Sequence, residues 1–270
     1  MLNVGIINIT GYAGAEIARL VYSHPELKLV SATGRSKAGK DLSEVFPHLE
    51  KTDIKIREEL SDNVEFVFSA LPHAASAEKL SQYVDSSIPA IDISADFRLK
   101  DLSTYEDWYD IKHPRPELID QATYGLPELH RDDIKKSKLV ANPGCFPTGA
   151  ILSMSPAVKN DLIEDMIIID SKTGVSGAGR TAKEAFGFSE LNDNCAAYGT
   201  KGHRHQPEIA QELNFLTNNE INVLFTPHLV SMTRGILGTN YGMLKKNITE
   251  KDAVELYKEF YKSEPFIKIV

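Results

Sequence analysis

The sequence predicts an α/β protein, with a parallel-sheet domain over residues 1–144 followed by an α+β domain over 145–270. Three observations carry this. Short apolar runs alternate with segments of helical period through the first half, the pattern of βαβ units. A glycine-bearing turn joins the first run to the first helical segment. After Cys145 the rhythm changes, and two strand-like runs follow one another directly.

The elements follow in order. "NVGIIN" (3–8) is a short apolar strand, "AGAEIARLVYSH" (13–24) has helical period, and "LKLVSAT" (27–33) is a second strand. "VEFVFSAL" (64–71) is a strand leading to a helix from Ala74 to Val84. "AIDIS" (90–94) and "KLVANP" (138–143) are further buried strands. Between them, Asp96 to Asp133 is long, aromatic and Pro-rich, and is expected to run as an ordered excursion over the surface. Beyond Cys145 come a helix (147–159), the strand "MIIID" (166–170), a Gly-rich loop "SKTGVSGAGRTAKE" (171–184) and a helix from Gln206 to Thr217. "NVLFTPHLV" (222–230) and "RGILGTNYGML" (234–244) read as successive antiparallel strands, and Thr249 with Asp252 opens a last helix to Lys262.

Composition narrows the function classes. Of 270 residues, 42% are hydrophobic and 25% charged, an ordinary globular balance. A net charge of −8 argues against a general nucleic-acid binder, which needs clustered Lys and Arg. No apolar run approaches a membrane span, and the start carries no leader pattern, so a cytoplasmic location is expected. The two cysteines, Cys145 and Cys195, are expected as reduced thiols. Cys195 reads as a packing residue.

"GIINITGYAG" follows a strand and opens a helix. Gly5, Gly11 and Gly14 would let backbone approach a pyrophosphate at the helix N-terminus. Asn8 stands where the three-glycine spacing wants Gly, and Asn tolerates the left-handed turn better than other residues. A strand-turn-helix with no ligand remains the alternative. At the end of the second strand an NAD site carries an acidic residue, but "SATGRSKAGK" offers Arg35, Ser36 and Lys37, which suit the 2′-phosphate of NADP. A solvated basic turn competes.

Cys145 falls between an Asn-Pro-Gly turn and a helix start. Helix N–H groups and dipole there favour a thiolate and could also hold an oxyanion. "GHRHQPEIAQEL" supplies His203, His205 and Glu208 at another helix start, where a histidine tends to stay neutral and able to take a proton. Glu208 would orient the base or cap the helix. His-x-His also suits a metal, but no further ligand set accompanies it, so no metal is expected. The loop after residue 170 offers Ser171, Lys172, Ser176, several glycine N–H groups and Arg180 to an anionic group.

These motifs together resemble the N-acetyl-γ-glutamyl-phosphate reductase family. "VANPGCFPTGAILSMSP" (140–156) resembles its signature. "TGYAGAEIARL", "VFPHL", "ALPHAAS", "IDISADFRL", "YGLPEL", "SKTGVSGAGR" and "HRHQPEI" match in the family's order over nearly the whole chain. The resemblance implies a Rossmann-type NADP domain and a catalytic and dimerisation domain, acting as an NADPH-dependent acyl-phosphate reductase of arginine biosynthesis. It implies Cys145 as nucleophile, His205 as base, and His203 and Glu208 as supporting residues. Thr10, Tyr12 and Pro72 fall at cofactor-side positions beside Gly5, Asn8, Gly11, Gly14, Arg35 and Ser36. Arg98, Ser171, Lys172, Gly174, Ser176 and Arg180 fall at substrate-side ones. A homodimer or homotetramer is implied. The family continues beyond "PFIKIV" with a segment that returns to the first domain, so the chain reads as C-terminally incomplete relative to it. A relative acting on an aminoadipyl or carrier-linked acyl phosphate, or an idle NADP-binding protein, are the competing readings.

Overall fold

The computed structural model describes residues 1–49, 53–181 and 184–270, and the chain divides into two compact units. The first comprises Met1–Gly125 and His130–Pro143; the second comprises Leu126–Leu129 and Gly144–Val270.

In the first unit, the chain runs β1 (Leu2–Ile7), α1 (Tyr12–Ser23), β2 (Leu27–Thr33), α2 (Leu42–Val45), β3 (Ile56–Arg57), β4 (Phe66–Ser69), α3 (Ala75–Asp85) and β5 (Ala90–Asp92). It continues with α4 (Leu102–Tyr109), β6 (Ala122–Tyr124), α5 (Pro127–Ile134, whose first residues belong to the second unit) and β7 (Leu139–Ala141). The strands form one sheet in the order β3-β2-β1-β4-β5-β7-β6, with every pairing parallel. Burial on both faces explains why its strands are apolar runs rather than alternations. Val4, Ile6, Ala18, Val21 and Leu29 pack in one cluster, and Ile7, Val67, Leu80, Ala90 and Leu139 in another.

The stretch from Asp96 to Asp133 is not a surface excursion. Phe97, Leu99, Tyr105, Leu118 and Ile119 are buried, and Ala122–Tyr124 adds the edge strand β6 parallel to β7. Its aromatic residues supply core; Pro116 and Pro127 each open a helical segment, and Pro114 lies in a bend. The two-residue strand β3 gave no periodic signal and was also not foreseen.

The second unit contains α6 (Cys145–Lys159), β8 (Ile163–Thr173), α7 (Phe188–Leu191), β9 (Cys195–Ala197), α8 (Gln206–Asn214), β10 (Asn222–Val230), β11 (Ile236–Leu244) and α9 (Glu250–Phe260). Its sheet order is β11-β8-β10-β9. β10 and β11 are therefore not neighbours: β8 lies between them, parallel to β10 and antiparallel to β11. β8 also runs three residues past "MIIID", so Ser171, Lys172 and Thr173 are strand, not loop. The loop read over 171–184 also includes residues 182 and 183, which lie outside the described residues.

Strand alternation gives this sheet two unlike faces. Ile167, Ile169, Ser171, Thr173, Val223 and Phe225 are buried on the face that α6 and α8 cover. Met166, Ile168, Leu224, Tyr241 and Met243 are exposed on the other. Thr249 caps α9 by accepting the N–H of Asp252, as its sequence anticipates. Among the described residues, no helix is long and apolar enough to cross a membrane, and no group of three or more His, Cys, Asp or Glu side chains could hold a metal ion.

Candidate active site

Cys145 is the first residue of α6, with Gly144 at the N-cap, and its side chain is exposed. The Asn-Pro-Gly turn cannot continue β7 and delivers the thiol from the strand to a helix start. A buried carboxylate anchors this junction: Glu208, fully buried at the start of α8, accepts the N–H of Gly144 at 2.8 Å. Of the two tasks expected for Glu208, orienting a histidine or capping, the hydrogen bond seen here is to the nucleophile's own turn.

Cys145, His203 and His205 line a single cavity of about 670 Å³ in the second unit. His203 is packed among aromatic rings, with centroids 5.8 Å from Phe146, 5.7 Å from Tyr198 and 5.2 Å from Phe225. This burial, with the charge of Arg204 adding to it, pushes the His203 imidazolium down to about 4, so the ring is neutral at pH 7. The helix start was expected to keep a histidine neutral; the aromatic enclosure is the larger cause. The His205 backbone N–H donates to His203 Nδ1 at 3.1 Å, which places the neutral ring's proton on Nε2. The two rings lie 4.8 Å apart.

Tyr198, Arg204 and Glu190 are among the wall residues that were not singled out from sequence. Tyr198 faces the thiol; burial first, and the proximity of Cys145 second, push its phenol up to about 12. Arg204 and Glu190 lie on the same wall. Arg204 stands inside "HRHQPE" and was legible there; nothing local marks Tyr198 or Glu190, because only the fold of 184–200 brings them to the cysteine.

The substrate-side expectations fare differently. Lys172 lies on the open sheet face and pairs with Asp170 at 3.0 Å, because alternation along β8 sends it opposite to Thr173, which does line the cavity. Ser171 is buried one repeat deeper. The amides of Gly174 and Ser176 do not form an anion cradle: they donate to the carbonyls of Gly235 and Thr233 at 3.0 and 3.1 Å. Gly174 is needed for that close approach, since a Cβ there would meet Arg234 N at 2.8 Å. Arg180 is exposed and is not a wall residue; Gly177 and Ala178 are. Arg98, in the first unit, is buried and donates through Nε to Asn142 O and through Nη2 to Ile93 O, both at 2.8 Å, bracing the turn before Cys145. Cys195, expected to pack, is exposed on the edge strand β9.

The cofactor-side residues gather at the C-terminal ends of β1, β2 and β4, where the strand order reverses, the usual ligand crevice of a parallel sheet. Asn8 adopts the left-handed conformation, φ 62°, and its side chain donates to Ala70 O at 2.8 Å across that point. Gly11 caps α1 with open space around it, next to Thr10 and Tyr12. Gly14 allows close packing, for a Cβ would lie 2.6 Å from Ile9 Cα. Gly5 does not serve the turn: it lies within β1, and its bare backbone makes room for Leu60 and Val64. Arg35, Ser36 and Lys37 form an exposed turn directly after β2. Pro72 is exposed ahead of Ala74, whose φ of 64° is held by Asp96, which accepts the N–H groups of Ala74 and Ala77 at 2.7 and 2.8 Å. These features fit a dinucleotide.

Comparison with known proteins agrees with this division of labour. Residues 3–137 match the semialdehyde dehydrogenase NAD-binding domain, and residues 145–270 match the semialdehyde dehydrogenase dimerisation domain. An N-acetyl-gamma-glutamyl-phosphate reductase of Dehalococcoides mccartyi is 52% identical over 266 residues, spanning 98% of this chain and 78% of the relative. One from Methanococcus maripaludis is 45% identical, spanning 100% and 80%. Among solved structures, aspartate semialdehyde dehydrogenase II of Vibrio cholerae superposes with a TM-score of 0.72 at 15% identity, over 99% of this chain and 80% of that one, which speaks to fold alone. With a cysteine-histidine cavity in one unit, a dinucleotide crevice in the other and this identity along the chain, the protein belongs to the N-acetyl-γ-glutamyl-phosphate reductase family of the semialdehyde dehydrogenases.

Proposed function

We propose that the chain reduces N-acetyl-γ-glutamyl phosphate to N-acetylglutamate semialdehyde, releasing phosphate, with NADPH as reductant. The observation that carries this is the exposed Cys145 thiol at the head of α6, in one cavity with a histidine pair. The Cys145 thiolate attacks the acyl carbon; a C–S bond forms, the C–O bond to phosphate breaks, and phosphate leaves with the bonding pair. The first-turn N–H groups at Cys145 and Phe146 stabilise the developing oxyanion, and Pro147 contributes none. Bound NADPH supplies the hydride that reduces the acyl carbon. His205 takes the thiol proton at the start and returns it to the sulfur when the C–S bond breaks. His203, neutral and fixed by the aromatic rings, positions His205 through its Nδ1.

The Asn8–Gly14 turn would hold the pyrophosphate, and Arg35, Ser36 and Lys37 the 2′-phosphate, which favours NADP over NAD. A second copy of the chain docks on the open sheet face, where Met166, Ile168, Leu224, Tyr241 and Met243 form an exposed apolar patch in the segment matching a dimerisation domain.

The test runs the reaction backwards, with N-acetylglutamate semialdehyde, NADP and phosphate, following NADPH absorbance. Wild type turns over, and Cys145→Ser loses at least about a thousandfold. Turnover that survives the substitution sinks the covalent mechanism. Preference for the aminoadipyl or a carrier-linked semialdehyde reassigns the substrate.

A further inference from the structure

The cavity around Cys145 is larger than an acyl phosphate alone needs, and its walls are mostly apolar: Phe146, Ala178, Ala185, Phe186, Ala196 and Leu229. Yet the substrate read above is anionic at both ends, with a reacting acyl phosphate and a carboxylate that stays charged throughout. Among the described wall residues, Arg204 is the single Lys or Arg. The cations that sequence suggested for this task lie elsewhere: Lys172 is on the other sheet face with Asp170, and Arg180 is outside the wall. His203 carries no charge at pH 7. Arg204 is an exposed residue on the cavity wall, and its charge reaches both His203 and Tyr198. Glu190 is the one carboxylate among the described wall residues and repels a substrate anion from its own part of the wall.

We infer that Arg204 recognises the α-carboxylate of the substrate and thereby sets which acyl phosphates the enzyme accepts. A planar guanidinium matches a two-oxygen anion bidentately. The thiol end of the substrate is served by the first turn of α6, so one cation at a distance fixes orientation without holding the departing phosphate. This inference rests on the reductase reading above.

The reverse reaction separates the two anions, because semialdehyde and inorganic phosphate are then independent substrates. Arg204→Gln raises KM for N-acetylglutamate semialdehyde about 10- to 100-fold and leaves KM for phosphate within about twofold. Arg204→Lys recovers part of the loss. Wild type disfavours the semialdehyde whose carboxylate is converted to a carboxamide by a similar factor, and Arg204→Gln no longer distinguishes acid from amide. A raised KM for phosphate with an unchanged KM for semialdehyde overturns the assignment in favour of the phosphate. Unchanged values for both overturn it outright. Absence of wild-type turnover instead fails the reductase reading on which it stands.

Discussion

Replacing Tyr261 by Phe removes one oxygen atom and nothing else, and the structure says what that atom does. Pro156 lies inside α6 and has no N–H, so the carbonyl four residues back, Leu152 O, lacks its helical donor. The Tyr261 hydroxyl, which follows α9, donates to that carbonyl at 2.5 Å. Tyr261 is 4% exposed, so water cannot readily take over when the hydroxyl is lost. The penalty lies between an average hydrogen bond and an unsatisfied buried group, about 1.5–2 kcal/mol. Tyr257 offers an internal control. Its hydroxyl donates to Ser153 O at 2.7 Å, but Ala157 keeps its own N–H for that carbonyl, so Tyr257→Phe should cost about 0.5–1 kcal/mol. Urea unfolding, followed by a probe in the second unit because two units need not unfold together, reads the difference as a lower midpoint at unchanged slope. The decisive comparison is a double-mutant cycle: in Pro156→Ala, residue 156 regains its N–H, and Tyr261→Phe becomes nearly silent. A Tyr261→Phe cost that is the same in both backgrounds refutes the argument.

Two further outcomes follow from the cofactor turn and the enclosed histidine. Arg35→Ala weakens NADP binding about tenfold while leaving NAD nearly unchanged, measured by fluorescence titration; equal weakening of the two removes the 2′-phosphate role. His203, about 4 in the fold against an ordinary 6.5, stabilises the protein above pH 6.5, and this is lost as pH falls towards 4; discounted for partial exposure it amounts to about 2 kcal/mol. Asp92, raised by burial to about 6, acts oppositely, its share being complete below 3.8 and lost as pH rises through 6, so His203→Gln should flatten the acid-side decline that wild type shows.

The parts legible in the sequence were those whose cause is local. Gly14, Asn8 and the run that precedes them announce a tight strand-turn-helix because backbone conformation and close approach restrict the residue type. Cys145 could be placed at a helix start because an Asn-Pro-Gly turn cannot continue a strand. What escaped depends on partners distant in the chain. Nothing near Gly174 or Ser176 reveals that residues 233–235 will take their N–H groups, so a sequence reader sees open amides where the fold has paired them. Lys172 was misassigned because β8 outlasts its apolar core "MIIID", and a strand that continues by one more alternation reverses the face on which a side chain lies. β6 was hidden for a related reason: three residues at a sheet edge take their identity from β7, not from their own pattern.

The same distinction explains how the second unit holds its nucleophile. The helix that begins with Cys145 has no side-chain cap, since Gly144 has none to offer, and it is interrupted by Pro156 in its last third. By propensity alone it is a compromised helix. Each defect is answered by a residue from elsewhere in the chain: Glu208 of α8 takes the Gly144 N–H at the front, and Tyr261 fills the carbonyl that Pro156 leaves open. Glycine at the cap keeps the first turn clear for a substrate oxygen, which a Ser or Asp side chain folding onto the same N–H groups would contest. A buried carboxylate placed behind the turn fixes the geometry without entering that space. The helix is thus held by contacts that leave its reactive end open, and the weakness of its local sequence is the condition for that arrangement.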